Sequence, residues 1–375
     1  MIDPARTRLY DGIVEDIGFP EVDKIEDLLP NGNVLFAIRT DQNKAENHYL
    51  QLHPRLLQQA EEKGFLIPGQ SKIIDTSSSN SAISLAIATQ MAGYPLRMII
   101  PTELEDRVRT YTVDAILNAG GQVQYPDPDI HTTQRYVAAC AKQLEREIKK
   151  KGPADFVLNH SRCYETLTGL EEMVGIVCDR LGISKMDYFI PGVGNGATIL
   201  GPGKVLKERF GTEVVAWEPV ASGLAFDTKH PGEYEKMLGM QKGRFRHNIY
   251  GVGVPDVKFP FLKVALVGGN LFGISFNETR DKNDRKIYSP VIDDVMMVSN
   301  KFMIDDFVEE GGDIDNIRPV LNYEGLYKKL LAEGFEIGRS SAASIAVAME
   351  LAKKVKKKNF LVFFYDSSTK YQKPE

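Results

Sequence analysis

Short apolar runs alternate with amphipathic stretches through most of the chain. Lys72-Ile73-Ile74-Asp75 reads as a buried strand, followed by a Ser/Asn loop and a helical segment from Ala82 to Ala92 that stops at Gly93. Leu96 to Ile100 predicts the next strand, ended by Pro101, and Asp106 to Asn118 has helical periodicity before the pair Gly120-Gly121. Gln122 to Tyr125 predicts a strand, and Val137, Ala141, Leu144 and Ile148 mark one apolar stripe of a long helix. The alternation resumes with strands at Phe156 to Leu158, Tyr188 to Ile190 and Val214 to Trp217, separated by helices at Leu167 to Leu181 and Thr198 to Arg209. Pro54 suits a first helical turn, and Gly64, Gly93 and Gly182 suit helix stops. Strands separated by single helices imply parallel pairing with right-handed crossovers, hence an α/β fold.

Composition narrows the picture. At 375 residues the chain is long enough for two domains with separate cores, and 43% hydrophobic with 26% charged residues is ordinary for a globular protein. A formal net charge of -5 argues against broad nucleic-acid affinity. The basic run Lys353 to Lys358 closes a predicted helix, where cations complement the terminal carbonyls. No apolar stretch approaches 20 residues and no signal peptide follows Met1, so a cytoplasmic protein with no membrane partner is expected. Cys140, Cys163 and Cys178 lack metal or redox spacing, and no metal is expected. The region from Asn277 to Tyr323, rich in charge and turn residues, reads as surface loops or insertions, with a lid as the alternative.

Two loops carry candidate chemistry. Gly192 to Thr198 reads GVGNGAT between a predicted strand and a helix, where backbone N–H groups can approach an anion. From Gly192 it matches a dinucleotide fingerprint, with Glu218 placed as the ribose-binding acid. From Gly194 it offers Gly194, Asn195, Gly196, Ala197 and Thr198 as a phosphate turn, and a plain strand–helix turn is the third option. Ser77, Ser78, Ser79, Asn80 and Ser81 open another helix, either to hold a polar or anionic ligand or to cap the helix.

These pieces, taken in order, resemble the cysteine synthase and tryptophan synthase β families. The run Ser77 to Ala82 is similar to the substrate loop T-S-G-N-T-G, with Asn80 at the asparagine that contacts the phenolic oxygen of the coenzyme pyridoxal phosphate. GNGAT stands at the phosphate cup, Gly251-Val252-Gly253 at G-I-G, and Thr166 to Glu171 at T-T-G-P-E. Gly338 to Ala343 resembles G-I-S-S-G-A, and Phe364 to Ser367 resembles the closing F-P-D-S, whose serine faces the pyridine nitrogen. The resemblance is collinear from about Tyr10 to Tyr371. It implies a fold-type II, tryptophan synthase β-like architecture: two three-layer α/β domains with mostly parallel sheets, a cleft between them, and a homodimer. The smaller domain would span residues 44–160, and the larger would combine 1–43 with 161–375.

The departures shape the functional expectation. The family lysine forms an imine with the coenzyme and later moves the substrate's Cα proton. Counting back from Gly64 puts Tyr49 at that slot, and counting forward from Gly32 puts His48 there. Neither forms an imine, although either could serve as an acid or base. The glycines of the substrate loop have become Ser79 and Ala82, and the phosphate turn carries Asn195 and Ala197. The expectation is therefore a family homologue binding a small anionic or amino-acid-like metabolite in the cleft, with no covalent coenzyme. Gly251 joins the serine loop as a substrate contact. One alternative is an active pyridoxal-phosphate enzyme of the β-replacement or β-elimination type using a displaced lysine such as Lys44; Ser367, a neutral pyridine partner, suits that class. Another is a non-catalytic partner that regulates an active relative. His160 and Cys163 form a further candidate pair near the substrate side.

Overall fold

The computed structural model describes residues 3–131, 136–182, 184–254, 258–274 and 280–371. Its strands are β1 (Glu21–Ile25), β2 (Val34–Arg39), β3 (Lys72–Thr76), β4 (Leu96–Ile99), β5 (Gln122–Gln124), β6 (Asp155–Val157), β7 (Tyr188–Phe189), β8 (Glu213–Pro219), β9 (Gly269–Ile274), β10 (Arg280–Tyr288), β11 (Asp294–Ser299), β12 (Leu321–Asn322) and β13 (Asn359–Phe363). They form a four-stranded sheet, β5-β4-β3-β6, a seven-stranded sheet, β1-β2-β13-β7-β8-β11-β12, and the hairpin β9-β10. All pairings within the two larger sheets are parallel except β1 with β2. The α/β expectation is met.

Side-chain alternation explains the three layers of each unit. Phe36 and Ile38 of β2 enter one core and Leu35 and Ala37 the other; Leu361 and Phe363 of β13 separate from Phe360 and Val362 in the same way. A strand sandwiched between helices buries both faces, which is why these segments are continuously apolar. In the smaller sheet, Ile73, Met98 and Phe156 face one side while Ile74, Ile99 and Val157 face the other. Burying each such side chain contributes roughly 1.5–3 kcal/mol, before the entropy of ordering it.

Two regions differ from the sequence reading. Helix Pro4–Ile17, expected in the larger unit, places its Tyr10 and Ile13 in the core of the smaller sheet. Its Arg6 pairs with the buried Glu61 at 2.5 Å, and Glu61 also accepts from the Tyr94 hydroxyl at 2.7 Å. The Asn277 to Tyr323 excursion, of which 277–279 lie outside the described residues, is mostly regular structure. β11 is an internal strand of the large sheet, and Asn300 caps the following helix Lys301–Glu309 by accepting from the Met303 N–H at 3.0 Å. Its charged flanks masked the buried run Val295 to Val298, whose neighbours in the sheet are supplied by distant segments.

Loops leaving the C-terminal ends of β2, β3, β6, β7 and β13 converge between the two sheets. This is where open parallel sheets place their ligands, because the strand ends splay and the following helices begin there.

Candidate active site

A cavity of about 690 Å³ lies at that convergence. His48 and Tyr49 line it. They are fixed by a network of Asn side chains: Asn47 Oδ1 accepts from the Tyr49 N–H at 3.0 Å and from the Ser84 hydroxyl at 2.6 Å, while Asn47 bridges to Asp366 beyond β13. The His48 ring sits 4.0 Å from Tyr49 and 5.6 Å from Tyr365 between centroids. Among the described residues neither His48 nitrogen makes a full hydrogen bond, only a weak contact with the Tyr365 backbone carbonyl, although the residue is only 5% exposed. Burial pushes its pKa down to about 4, so the ring is neutral at pH 7. Tyr49 stacks on His53 at 5.7 Å and meets His160 edge-on at 5.3 Å, and burial pushes its phenol up to about 12. The buried His53 is likewise held neutral and contacts the Ser81 hydroxyl at 3.3 Å.

His160 also lines the cavity, and its partner is Asp75 rather than Cys163. The fully buried Asp75 carboxylate lies 2.9 Å from His160 Nδ1 and accepts from the His160 backbone N–H at 3.4 Å. That bond places the proton on Nδ1 and leaves Nε2 as the acceptor, without a partner among the described residues. The pair can therefore take a proton from a bound ligand, with Asp75 steadying the resulting charge. The proposed Cys–His pairing fails for a physical reason. Cys163 is buried with its Sγ 2.8 Å from Glu165, and burial followed by that carboxylate pushes the thiol up, away from the reactive thiolate.

The serine loop faces the cavity along its whole length, from Ser77 through Ser78, Ser79 and Asn80 to Ser81. It is not a cap: Ser79, at the N-cap of helix Asn80–Ala92, makes no capping bond and instead meets the Thr112 hydroxyl at 3.1 Å. Asn80 is held at both ends. Its Nδ2 donates to Asp366 at 3.1 Å, and its Oδ1 accepts from Lys370 Nζ at 2.6 Å. Lys370, 5% exposed and lining the cavity, also pairs with Asp366.

Gly194, Asn195, Gly196 and Thr198 of the glycine turn reach the cavity, as does Gly251; Ala197 is buried behind them. Gly196 has φ +92°, and a Cβ there would lie 2.2 Å from the Leu262 nitrogen. Asn195 Oδ1 accepts from the Ala197 N–H at 2.9 Å, so a side chain already satisfies one amide of the anion cradle. The dinucleotide reading loses its acid. Glu218 is buried outside the cavity lining, accepting from the Phe226 N–H at 2.6 Å, with burial pushing its pKa up to about 7.

Two further expectations are displaced. Ser367 is outside the cavity lining and its hydroxyl contacts Thr369 at 2.8 Å, because the chain turns into a 3₁₀ helix immediately beyond it. Lys44 is half-exposed and pairs with Asp16 at 2.5 Å, away from the cavity. Sequence reasoning missed Asp75, which holds His160, and Lys370, which lines the cavity. Asp75 had a signal, a charge ending an apolar strand directly before the serine loop; Lys370 had none.

Comparison with known proteins agrees with this fold. Residues 44–280 match the family described as "Pyridoxal-phosphate dependent enzyme". The chain belongs to that family. Cystathionine beta-synthase of Apis mellifera is 30% identical over 174 residues, 45% of this chain and 32% of that protein. Cysteine synthase of Staphylococcus aureus (strain N315) is 25% identical over 240 residues, 62% of this chain and 72% of that one. A cysteine synthase 2 of Neurospora crassa matches over 39% of its length, so the chain spans roughly a third to two fifths of the first and last of these family relatives. The solved O-acetylserine dependent cystathionine beta-synthase of Helicobacter pylori superposes with a TM-score of 0.68 at 18% identity, covering 97% of both chains. A hydrogen sulfide-producing enzyme of Fusobacterium nucleatum gives 0.67 at 21%, covering 96% of this chain and 99% of that one. At these identities the likeness establishes the shared fold. Among the described residues no helix is long and apolar enough to cross a membrane, and no cluster of His, Cys, Asp or Glu is arranged to hold a metal.

Proposed function

We propose that this family member holds a carboxylate- or phosphate-bearing metabolite in its cleft without a covalently attached coenzyme. The observation that carries the reading is the weakly held His48 ring beside Tyr49 on the cavity wall, the two positions to which the alternative counts assign the family lysine. An imidazole and a phenol cannot form the imine. Two further features support it. Asn80, the expected contact of the coenzyme's phenolic oxygen, is already bonded to Lys370 and Asp366, and Ser367 lies off the cavity. These residues do not fit imine-bound pyridoxal phosphate at that position. His160 would act as the proton carrier, Nε2 accepting a proton from the ligand while Asp75 holds Nδ1–H. The serine loop supplies hydroxyls to an acidic group.

The test is direct. Purified protein should lack the visible absorbance of a bound coenzyme, borohydride should fix no pyridoxal phosphate to a lysine, and native mass spectrometry should recover an anionic small molecule. One observation favours a second reading, an active β-replacement or β-elimination enzyme using a displaced amine: Lys370 lines the cavity beside Asn80. Lys44, exposed and paired with Asp16, does not serve it. A yellow protein reduced and labelled at Lys370 would establish that reading over the first.

A further inference from the structure

We infer that Arg162 holds the acidic group of the cleft's ligand. The inference rests on the anion-binding reading above and names a residue for it. Arg162 lines the cavity two residues beyond His160, in the turn that leaves β6. That turn is rigid. Asn159 adopts φ +46°, which asparagine tolerates better than most residues, and its carbonyl accepts from the N–H groups of both Arg162 and Cys163 at 2.9 Å.

The guanidinium has no carboxylate partner among the described residues, and its Nε is buried with no acceptor. Among the described residues, other half-buried arginines have an acceptor: Arg6 pairs with Glu61, Arg39 with Asp23 and Asp41, Arg339 with Glu105, and Arg107 donates to the Tyr371 carbonyl at 2.7 Å. The other cations lining the cavity differ in kind. Lys142, Lys149 and Lys258 are exposed, and Lys370 is engaged by Asp366 and Asn80. A buried N–H without an acceptor is costly, so the retention of this half-buried arginine at a cavity calls for an acceptor from outside the chain. The planar guanidinium matches a carboxylate or a phosphate with two parallel hydrogen bonds. His160 lies within the same lining. The ligand class is a small metabolite whose acidic group sits on Arg162 and whose transferable proton faces His160.

The experiment uses the full chain with inorganic phosphate and succinate as probes, measured by titration calorimetry, alongside Arg162→Leu, Arg162→Lys and the surface control Arg318→Ala. Wild type should bind at least one probe, the preferred one distinguishing a phosphate from a carboxylate ligand. Arg162→Leu should weaken binding at least tenfold, Arg162→Lys less, and Arg318→Ala not at all. Without any probe, Arg162→Leu should melt at or above the wild-type temperature, because it removes a buried N–H that has no acceptor. Undiminished binding by Arg162→Leu would overturn the assignment, as would a melting temperature several degrees lower, which marks a structural arginine. Wild type that binds neither probe would overturn the anion-binding reading itself and this inference with it.

Discussion

His160 and His48 line one cavity and are buried alike, 6% and 5% exposed, yet their surroundings are opposite. His160 hangs on Asp75, a carboxylate delivered by the end of β3. His48 is enclosed by Tyr49, Phe363 and Tyr365, and among the described residues its nitrogens find no more than a weak contact with the Tyr365 backbone carbonyl. The difference separates two uses of a buried polar group. A partner fixes orientation and tautomer, as suits a proton carrier. An orphan leaves hydrogen-bonding capacity unspent until a ligand arrives, at a standing cost in stability.

If that distinction is right, removing a partner should destabilise the protein far more than removing an orphan. The largest effect is expected for Asp366→Ala, which strands the buried Lys370 ammonium and should cost about 3–5 kcal/mol in denaturant unfolding. Equal stability of Asp366→Ala and wild type would break the comparison at its strongest point.

The next effect is on pH dependence. The folded pKa of His48 lies near 4, below its unfolded value, so its contribution to stability is present above about pH 6.5 and is lost as pH falls toward 4. Glu218 works in the other direction. Its folded pKa near 7 lies above the unfolded value, so its contribution is present below about pH 4.5 and is lost as pH rises through 7. Each amounts to something on the order of 3 kcal/mol across its window, and in wild type the two oppose one another. His48→Leu should therefore expose a decline in stability from pH 4.5 to 7, and Glu218→Gln a rise over pH 4 to 6.5. Unfolding midpoints measured at each half pH unit would show whether the slopes separate.

Smaller, and more specific to the proton carrier, is Asp75→Asn. An amide can donate to Nδ1, moving the imidazole proton to Nε2, at about 1–3 kcal/mol in stability. Nitrogen-15 NMR of the His160 ring should report the tautomer change; an unchanged tautomer would show that Asp75 does not set it. Lys44→Ala should change stability by less than about 0.5 kcal/mol and leave ligand binding intact, since that amine pairs with Asp16 at the surface.

Much of the framework was legible in the chain. Helix Asp106–Asn118 is bounded as its periodicity predicts, and β3, β4 and the helices after them follow the apolar runs and glycine stops. Local rules suffice there, because propensity and amphipathicity act over a few residues. The serine loop and glycine turn line one cavity for a related reason: each joins a buried strand to a helix start, and parallel sheets gather such junctions at one edge. β11 was missed because what makes it a strand is the presence of β8 and β12 on either side.

The chain alone, then, determined the alternation of strands and helices and the two polar loops. Which of those groups meet was decided only by the folded sheets. Asp75 and His160 are 85 positions apart, and Asn80 and Lys370 are 290 apart. Hydrogen bonds of this kind depend on atomic separations of about 3 Å, and only the packing of the two sheets sets separations that fine.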